Sequence, residues 1–85
     1  MVRLTTPACA AGRVCTTVFN DGNAAVQATV NFKVCNSNYQ CSVTVPAQGS
    51  KDCCVSPTEN GLCEVTASAP GATSKSAMLS LPCPG

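Results

Sequence analysis

Eight cysteines in 85 residues, dispersed from one end to the other, constrain this chain more than any other feature. They stand at Cys9, Cys15, Cys35, Cys41, Cys53, Cys54, Cys63 and Cys83. An even, scattered set at this density reads as a disulfide framework, and such frameworks persist in oxidising compartments. The expected location is therefore secreted and extracellular. A zinc site would want short paired spacings such as C-x2-C, usually with histidine, and the chain has no histidine. Only Cys53 and Cys54 are close, and adjacent thiols fit a tetrahedral site poorly. A redox enzyme would need C-x-x-C or an activated thiolate, and neither motif is present. The expectation is no metal and no cofactor.

Composition explains why covalent links are needed. Eleven of the apolar residues are Ala, and the larger ones are ten Val, four Leu, two Phe, two Met and one Tyr, with no Ile. So little bulk gives a thin core in a domain already near the size where burial alone is marginal. Each bridge contributes roughly 2–4 kcal/mol, largely by restricting the unfolded chain. Five basic residues against four acidic ones leave a net charge of +1 with no cationic stripe. Nucleic acid is excluded as a partner on that ground. No apolar run approaches the roughly 20 residues of a membrane-spanning helix. The start, Met1-Val2-Arg3-Leu4, is too short and polar for a secretion signal. The expectation is a leader already removed and Met1 added for expression.

The dominant pattern has a period of two, the mark of half-buried strands. Val26, Ala28, Val30, Phe32 and Val34 share one face, and Gln27, Thr29, Asn31 and Lys33 the other. Residues 41–45 and 62–68 repeat the alternation, and residues 14–19 and 77–81 show it more weakly. Turn signals separate these runs at Asn20–Asn23, Asn36–Asn38, Pro46–Gly49, Pro57–Gly61 and Pro70-Gly71. The pattern predicts an all-β fold, a small disulfide-stapled immunoglobulin-like β-sandwich of six or seven short strands. Its divisions are an N-terminal arm over 1–12, the sandwich over 13–82 and a tail over 83–85.

Three runs carry a resemblance across residues 13–82: Cys15-Thr-Thr-Val-Phe-Asn-Asp-Gly-Asn-Ala-Ala-Val26, Val43-Thr-Val-Pro-Ala-Gln-Gly-Ser-Lys51 and Gly61-Leu-Cys-Glu-Val-Thr-Ala67. The chain resembles an extracellular immunoglobulin-like module of the CARDB or fibronectin-III-like kind. In such modules an N-x-G-x-A turn follows the second strand, and a V-x-V-P-A-x-G-S corner leads onward. The resemblance implies a non-catalytic extracellular module. The chain departs from it in carrying eight cysteines and no tryptophan.

Eight cysteines admit 105 pairings, and spacing narrows them only softly. Cys35 and Cys41 flank a five-residue segment, and Cys54 and Cys63 flank an eight-residue one. Cys35–Cys41 and Cys54–Cys63 are accordingly the preferred pairs, each stapling a hairpin. Neighbouring strand residues face opposite ways, so Cys53 and Cys54 should bond in different directions. Cys83 is expected to tie down the tail.

Without histidine, no Ser-His-Asp or Cys-His arrangement can exist. The carboxylates Asp21, Asp52, Glu59 and Glu64 are not compelled to converge, so the chain reads as non-catalytic rather than as an enzyme. Tyr39 is the best candidate for an exposed contact, with Asn36, Asn38 and Gln40 supplying adaptable hydrogen bonds around it. Glu59 marks a second candidate loop, Pro57–Gly61. The competing reading of Tyr39 is a tyrosine that covers one end of the core. The seventeen Ser and Thr solvate the outer sheet faces. The expected role is protein binding, structure or adhesion outside the cell, with an extracellular protein or self-association as partner. The alternatives are a disulfide-rich effector, toxin or protease inhibitor acting through a stapled loop, and a surface-active hydrophobin-like protein. Hydrophobins carry two Cys-Cys doublets, and this chain has one.

Overall fold

Alternation of Val with Thr, Ser and Lys is realised as strands almost everywhere it occurs. The computed structural model describes residues 2–84. Among these residues there are eight strands: β1 (Val2–Leu4), β2 (Ala8–Ala10), β3 (Arg13–Asn20), β4 (Val26–Val34), β5 (Ser37–Val45), β6 (Ser50–Val55), β7 (Gly61–Ser68) and β8 (Lys75–Leu81). All pairings are antiparallel and fall into two four-stranded sheets. In the first sheet β3 is central, with β6 on one side and both β1 and β2 on the other. The second runs β5-β4-β7-β8. No helix among the described residues is long and apolar enough to cross a membrane.

The expectation of six or seven strands fell short because the segment taken as an N-terminal arm is itself sheet. Leu4 pairs with Val18 and Ala8 with Cys15, so Thr5, Thr6 and Pro7 lie opposite Thr16 and Thr17. Three residues against two is a bulge, and it splits one edge strand into β1 and β2. Pro7 is fully buried there and needs no ladder partner. Thr5 completes the bulge by accepting from the Thr17 amide through its hydroxyl at 2.8 Å.

Inner faces of both sheets supply one buried cluster. Val14 and Val18 come from β3, Val30, Phe32 and Val34 from β4, Val45 from β5, Cys53 and Val55 from β6, and Val65 and Ala67 from β7. Phe32 is the largest wholly buried side chain, and most of its neighbours are Val. The interior is thin, as composition demanded.

Every cysteine is bridged, but the preferred pairs were wrong. The bonds are Cys9–Cys83, Cys15–Cys54, Cys35–Cys63 and Cys41–Cys53. Cys35 sits with Asn36 in a two-residue turn, where its φ is 55°, and β5 begins at once with Ser37. Cys41 therefore lies four residues up an extended strand, paired with Val30. That is roughly 13 Å along the strand from Ser37, too far for a bridge back to the turn. Cys35 instead meets Cys63 on the adjacent strand β7, with Cα atoms 5.1 Å apart. Cys54 cannot meet Cys63 because it points to the outer face of the first sheet, where Cys15 is its register partner at a Cα distance of 4.0 Å.

The four bonds divide by role. Cys15–Cys54 clasps β3 to β6 within one sheet, and Cys35–Cys63 clasps β4 to β7 within the other. Cys41–Cys53 joins β5 to β6 across the sheets on one lateral side. Cys9–Cys83 joins β2 to the segment after β8 on the opposite side, where the Gly12 amide also donates to Pro84 O at 2.9 Å. Cys53 faces inward and is wholly buried while Cys54 is half-buried outside, the divergence that strand alternation requires.

Cys41→Ser with Cys53→Ser should open one lateral side without dissolving the sheets. The expected loss is about 3 kcal/mol in urea unfolding. Hydrogen exchange should quicken in β5 and β6 while β4 and β7 stay protected. Uniform loss of protection would show that this bridge holds the whole fold.

Candidate functional site

The residues singled out from the sequence do not form one surface. Tyr39 lies on β5 opposite Phe32 and turns inward, half-buried against the core. Its phenol donates to Glu59 Oε1 at 2.6 Å and accepts from the Thr58 amide at 3.2 Å. Asn38 and Gln40, the next residues on either side, point to the outer face by alternation and are exposed. Asn38 accepts from Asn31 Nδ2 across the pair at 3.4 Å. Asn36 is exposed in the two-residue turn. The structure thus joins Tyr39 to Glu59 and separates both from Asn38 and Gln40.

That junction is a clasp over residues 56–60. Hydrogen bonds from Ser37 and then Tyr39 hold the Glu59 carboxyl below the usual carboxylate range. The loop is laid down on β5 and does not project. Tyr39 covers one end of the core, the less distinctive of the two readings.

The other end of the strands carries the arrangement that the sequence reading missed. Val14, Thr16, Val18 and Asn20 share the inner face of β3, so the last of them carries an amide into the interior. Asn20 is 1% exposed. Its Nδ2 donates to Ala24 O at 2.8 Å and lies 3.2 Å from both Val45 O and Pro46 O. Its Oδ1 accepts from the Gly22 amide at 2.9 Å. One side chain therefore ties the 21–25 loop to the end of β5. The backbone joins in, with Asn20 N donating to Gly49 O at 2.9 Å and Gln48 N to Gly22 O at 3.2 Å. Gln48 Nε2 adds bonds to Asp21 O and Gly22 O at 2.9 and 3.0 Å. Gln48 takes a left-handed φ of 57° to do so. At Gly49 an added Cβ would fall 2.7 Å from Pro46 Cγ, so the corner requires glycine.

Arg3 extends the same knot to β1. Its Nε donates to Asp21 Oδ2 at 2.6 Å and its Nη2 to Oδ1 at 3.0 Å, with the guanidinium 5.0 Å from the Phe19 ring. This bidentate contact holds the Asp21 carboxyl below its ordinary range. Loop 69–74 completes the end: Gly71, Thr73 and Lys75 face Val2, Arg3 and Leu4 across a groove of about 390 Å³. Three loops, 21–25, 46–49 and 69–74, are thus gathered at one end, and the first two are locked together.

The remaining chemistry is scattered. Asp52 accepts from the Thr17 hydroxyl at 2.8 Å on the outer face of the first sheet. Glu64 is exposed on β7. No cluster of three or more His, Cys, Asp or Glu among the described residues could hold a metal.

Asn20→Asp tests the knot, because it places carboxylate oxygens where three carbonyls expect donors. About 2–4 kcal/mol should be lost, since the partners are buried and left unpaired. Urea unfolding measures this, and a change under 1 kcal/mol would mean the loops stand without Asn20. A second test uses acid. Glu59 and Asp21 have folded pKa values depressed below the unfolded ones, so their stabilisation is present above about pH 4 and disappears as pH falls through the folded values. With no histidine, melting temperature should be flat between about pH 5 and 8 and decline below about pH 4. Glu59→Gln should make that acid decline shallower, and an unchanged acid slope would remove Glu59 from the account. No protein-family model matches the chain, and no curated protein is similar to it in sequence.

Proposed function

We propose that the chain is a secreted, non-catalytic module with an immunoglobulin-like sandwich fold, and that it binds a protein partner outside the cell through loops 21–25, 46–49 and 69–74. Counting the split β1–β2 as one strand, a three-stranded and a four-stranded antiparallel sheet share one core, which supports the sandwich reading. Four bridges in a small domain support the extracellular location.

The observation that carries the reading is the distribution of constraints along the strands. Cys35, Cys63, Cys9 and Cys83 sit toward the end opposite the three loops, and Cys41–Cys53 lies near mid-strand. The loop end holds no cysteine and is ordered by Asn20 and Gln48 instead. A covalently closed frame that displays polar loops in a fixed conformation lowers the entropy lost on binding. Exposed Asn23, Ala47, Gln48, Thr73 and Ser74 offer small apolar and hydrogen-bonding contacts without steric bulk.

The inhibitor-like alternative loses its basis, since loop 56–60 is pinned to Tyr39 and is not closed by a Cys54–Cys63 bond. The hydrophobin-like alternative is not favoured either. Leu62 and Met78 are the large exposed hydrophobics among the described residues, too few for an amphipathic surface.

Retention on extracellular material of the source tests the proposal. Asn23→Arg, Ala47→Arg and Thr73→Arg together should lower retention at least tenfold, with an unchanged sheet signal in circular dichroism. Asn38→Arg with Gln40→Arg should leave retention intact. The opposite ranking would move the binding surface to β5, and equal retention by all three proteins would sink the loop reading.

A further inference from the structure

Sheet edges are liabilities, because each presents unpaired N–H and C=O groups to any other strand. Three of the edges in this molecule are managed. The β1–β2 edge is cut into three-residue pieces by a bulge with a buried proline, and Arg3 stands on it. β6 carries Lys51 and Asp52, and β5 is tied to it across the sheets by Cys41–Cys53. β8 has none of these devices. It runs seven residues, Lys75-Ser-Ala-Met-Leu-Ser-Leu81, with no proline, bulge or bridge, and its one charge stands at the first position. The tail beyond it leaves toward β2 and the Gly12 amide and so does not cover the edge.

A second observation falls on the same place. Leu62 is 67% exposed and Met78 is 58% exposed. Met78 lies on β8 opposite Glu64, and Leu62 lies opposite Ser80, so the two are diagonal neighbours on the outer face. Diagonal residues remain within reach for long side chains.

We propose that β8 is a self-association edge whose occupant is β8 of a second copy, paired antiparallel about a two-fold axis at Met78. The register is self-complementary. Met78 meets its own copy, Ser76 meets Ser80, Ala77 meets Leu79, and Lys75 meets Leu81. The outer face then carries an unbroken apolar row of Leu62, Met78 and their two counterparts. The two Lys75 side chains are separated by about 20 Å along the strands, twice the screening length of roughly 10 Å at 0.1 M salt. With a net charge of +1 per chain, little repulsion opposes the approach. Pairing consumes the one unmanaged edge of each copy, so association closes at two and does not propagate. The surface is distinct from loops 21–25 and 46–49, and only loop 69–74 of the proposed binding end adjoins it, leading into β8 at Lys75; the proposal does not depend on the partner-binding reading.

Sedimentation velocity over about 5–500 μM protein tests it, on the scale of the weak association expected of a small interface. The native chain should show a reversible monomer–dimer equilibrium. Met78→Lys sets two like charges opposite each other at the axis and should weaken the dimer at least tenfold. Thr44→Lys, which adds the same charge on β5, should leave it unchanged. Hydrogen exchange should slow in β8 but not in β5 as concentration rises. A monomer throughout the range, a dimer indifferent to Met78→Lys, oligomers larger than two, or equal disruption by Thr44→Lys would each overturn the proposal. A native chain that stays monomeric yet is retained on extracellular material would overturn this inference alone.

Discussion

The fold depends on covalent closure of its two open sides. Sheets built from Val, Ala, Thr and Ser have apolar inner faces but little bulk to hold them together. Phe32 is the largest buried side chain, and Val supplies most of the rest. Burial of a Val contributes at most a few kcal/mol, and each ordered residue costs about 1–2 kcal/mol of backbone entropy. A stack of this kind opens most easily at its lateral margins, where each sheet ends and water can enter between the layers. Cys41–Cys53 closes one margin and Cys9–Cys83 the other. The two in-sheet bonds act differently, clasping strand pairs that the backbone ladder already holds. The pair Cys53-Cys54 connects these functions, because one strand delivers an inward thiol to the inter-sheet bond and an outward thiol to the clasp.

What was legible in the sequence was local. β4 reads directly from Val26 to Val34, and β7 from the alternation of Cys63, Val65 and Ala67, because period two is a property of each strand by itself. Bridge pairing was not legible, since it depends on which strands become neighbours. Cys35 and Cys63 meet only because β4 lies beside β7, a choice made by the whole topology. β1 and β2 were missed because three-residue pieces carry no measurable alternation. The turn before β5 was displaced by one residue, since Cys is not a residue that advertises a positive φ.

The loop end shows how a misreading can hide a useful signal. Asn20-Asp21-Gly22 has turn composition, and it was assigned to a turn as a block. Strand parity gives a different assignment for its first residue. Asn20 follows Val14, Thr16 and Val18 on the inward face, so its amide had to enter the interior and find partners there. Those partners are the carbonyls of residues 24, 45 and 46, which makes the 21–25 and 46–49 loops one unit. Tyr39 shows the same logic in reverse. It was placed in a polar loop, where a phenol would be free to contact a partner, but its position in β5 turns it inward and engages Glu59.

The division of labour between bonds explains the low charge of the chain. An exposed ion pair such as Arg3–Asp21 contributes little to stability by itself, about 0–1 kcal/mol. Here it acts by fixing the β1 margin against the 21–25 loop. Stability resides instead in bridges and in neutral hydrogen bonds, neither of which responds to salt or to pH near neutrality. Such a molecule keeps its shape across changes of salt and of pH near neutrality. Low charge has its own consequence at sheet margins, because charged side chains are a common means of keeping strand edges apart. The fold replaces that means at β5 with a bridge and at β1–β2 with a bulge. At β8 the bridge lies beyond the strand, at Cys83, so the apolar pair Leu62 and Met78 stands beside an open ladder, the edge at which the proposed second copy would pair.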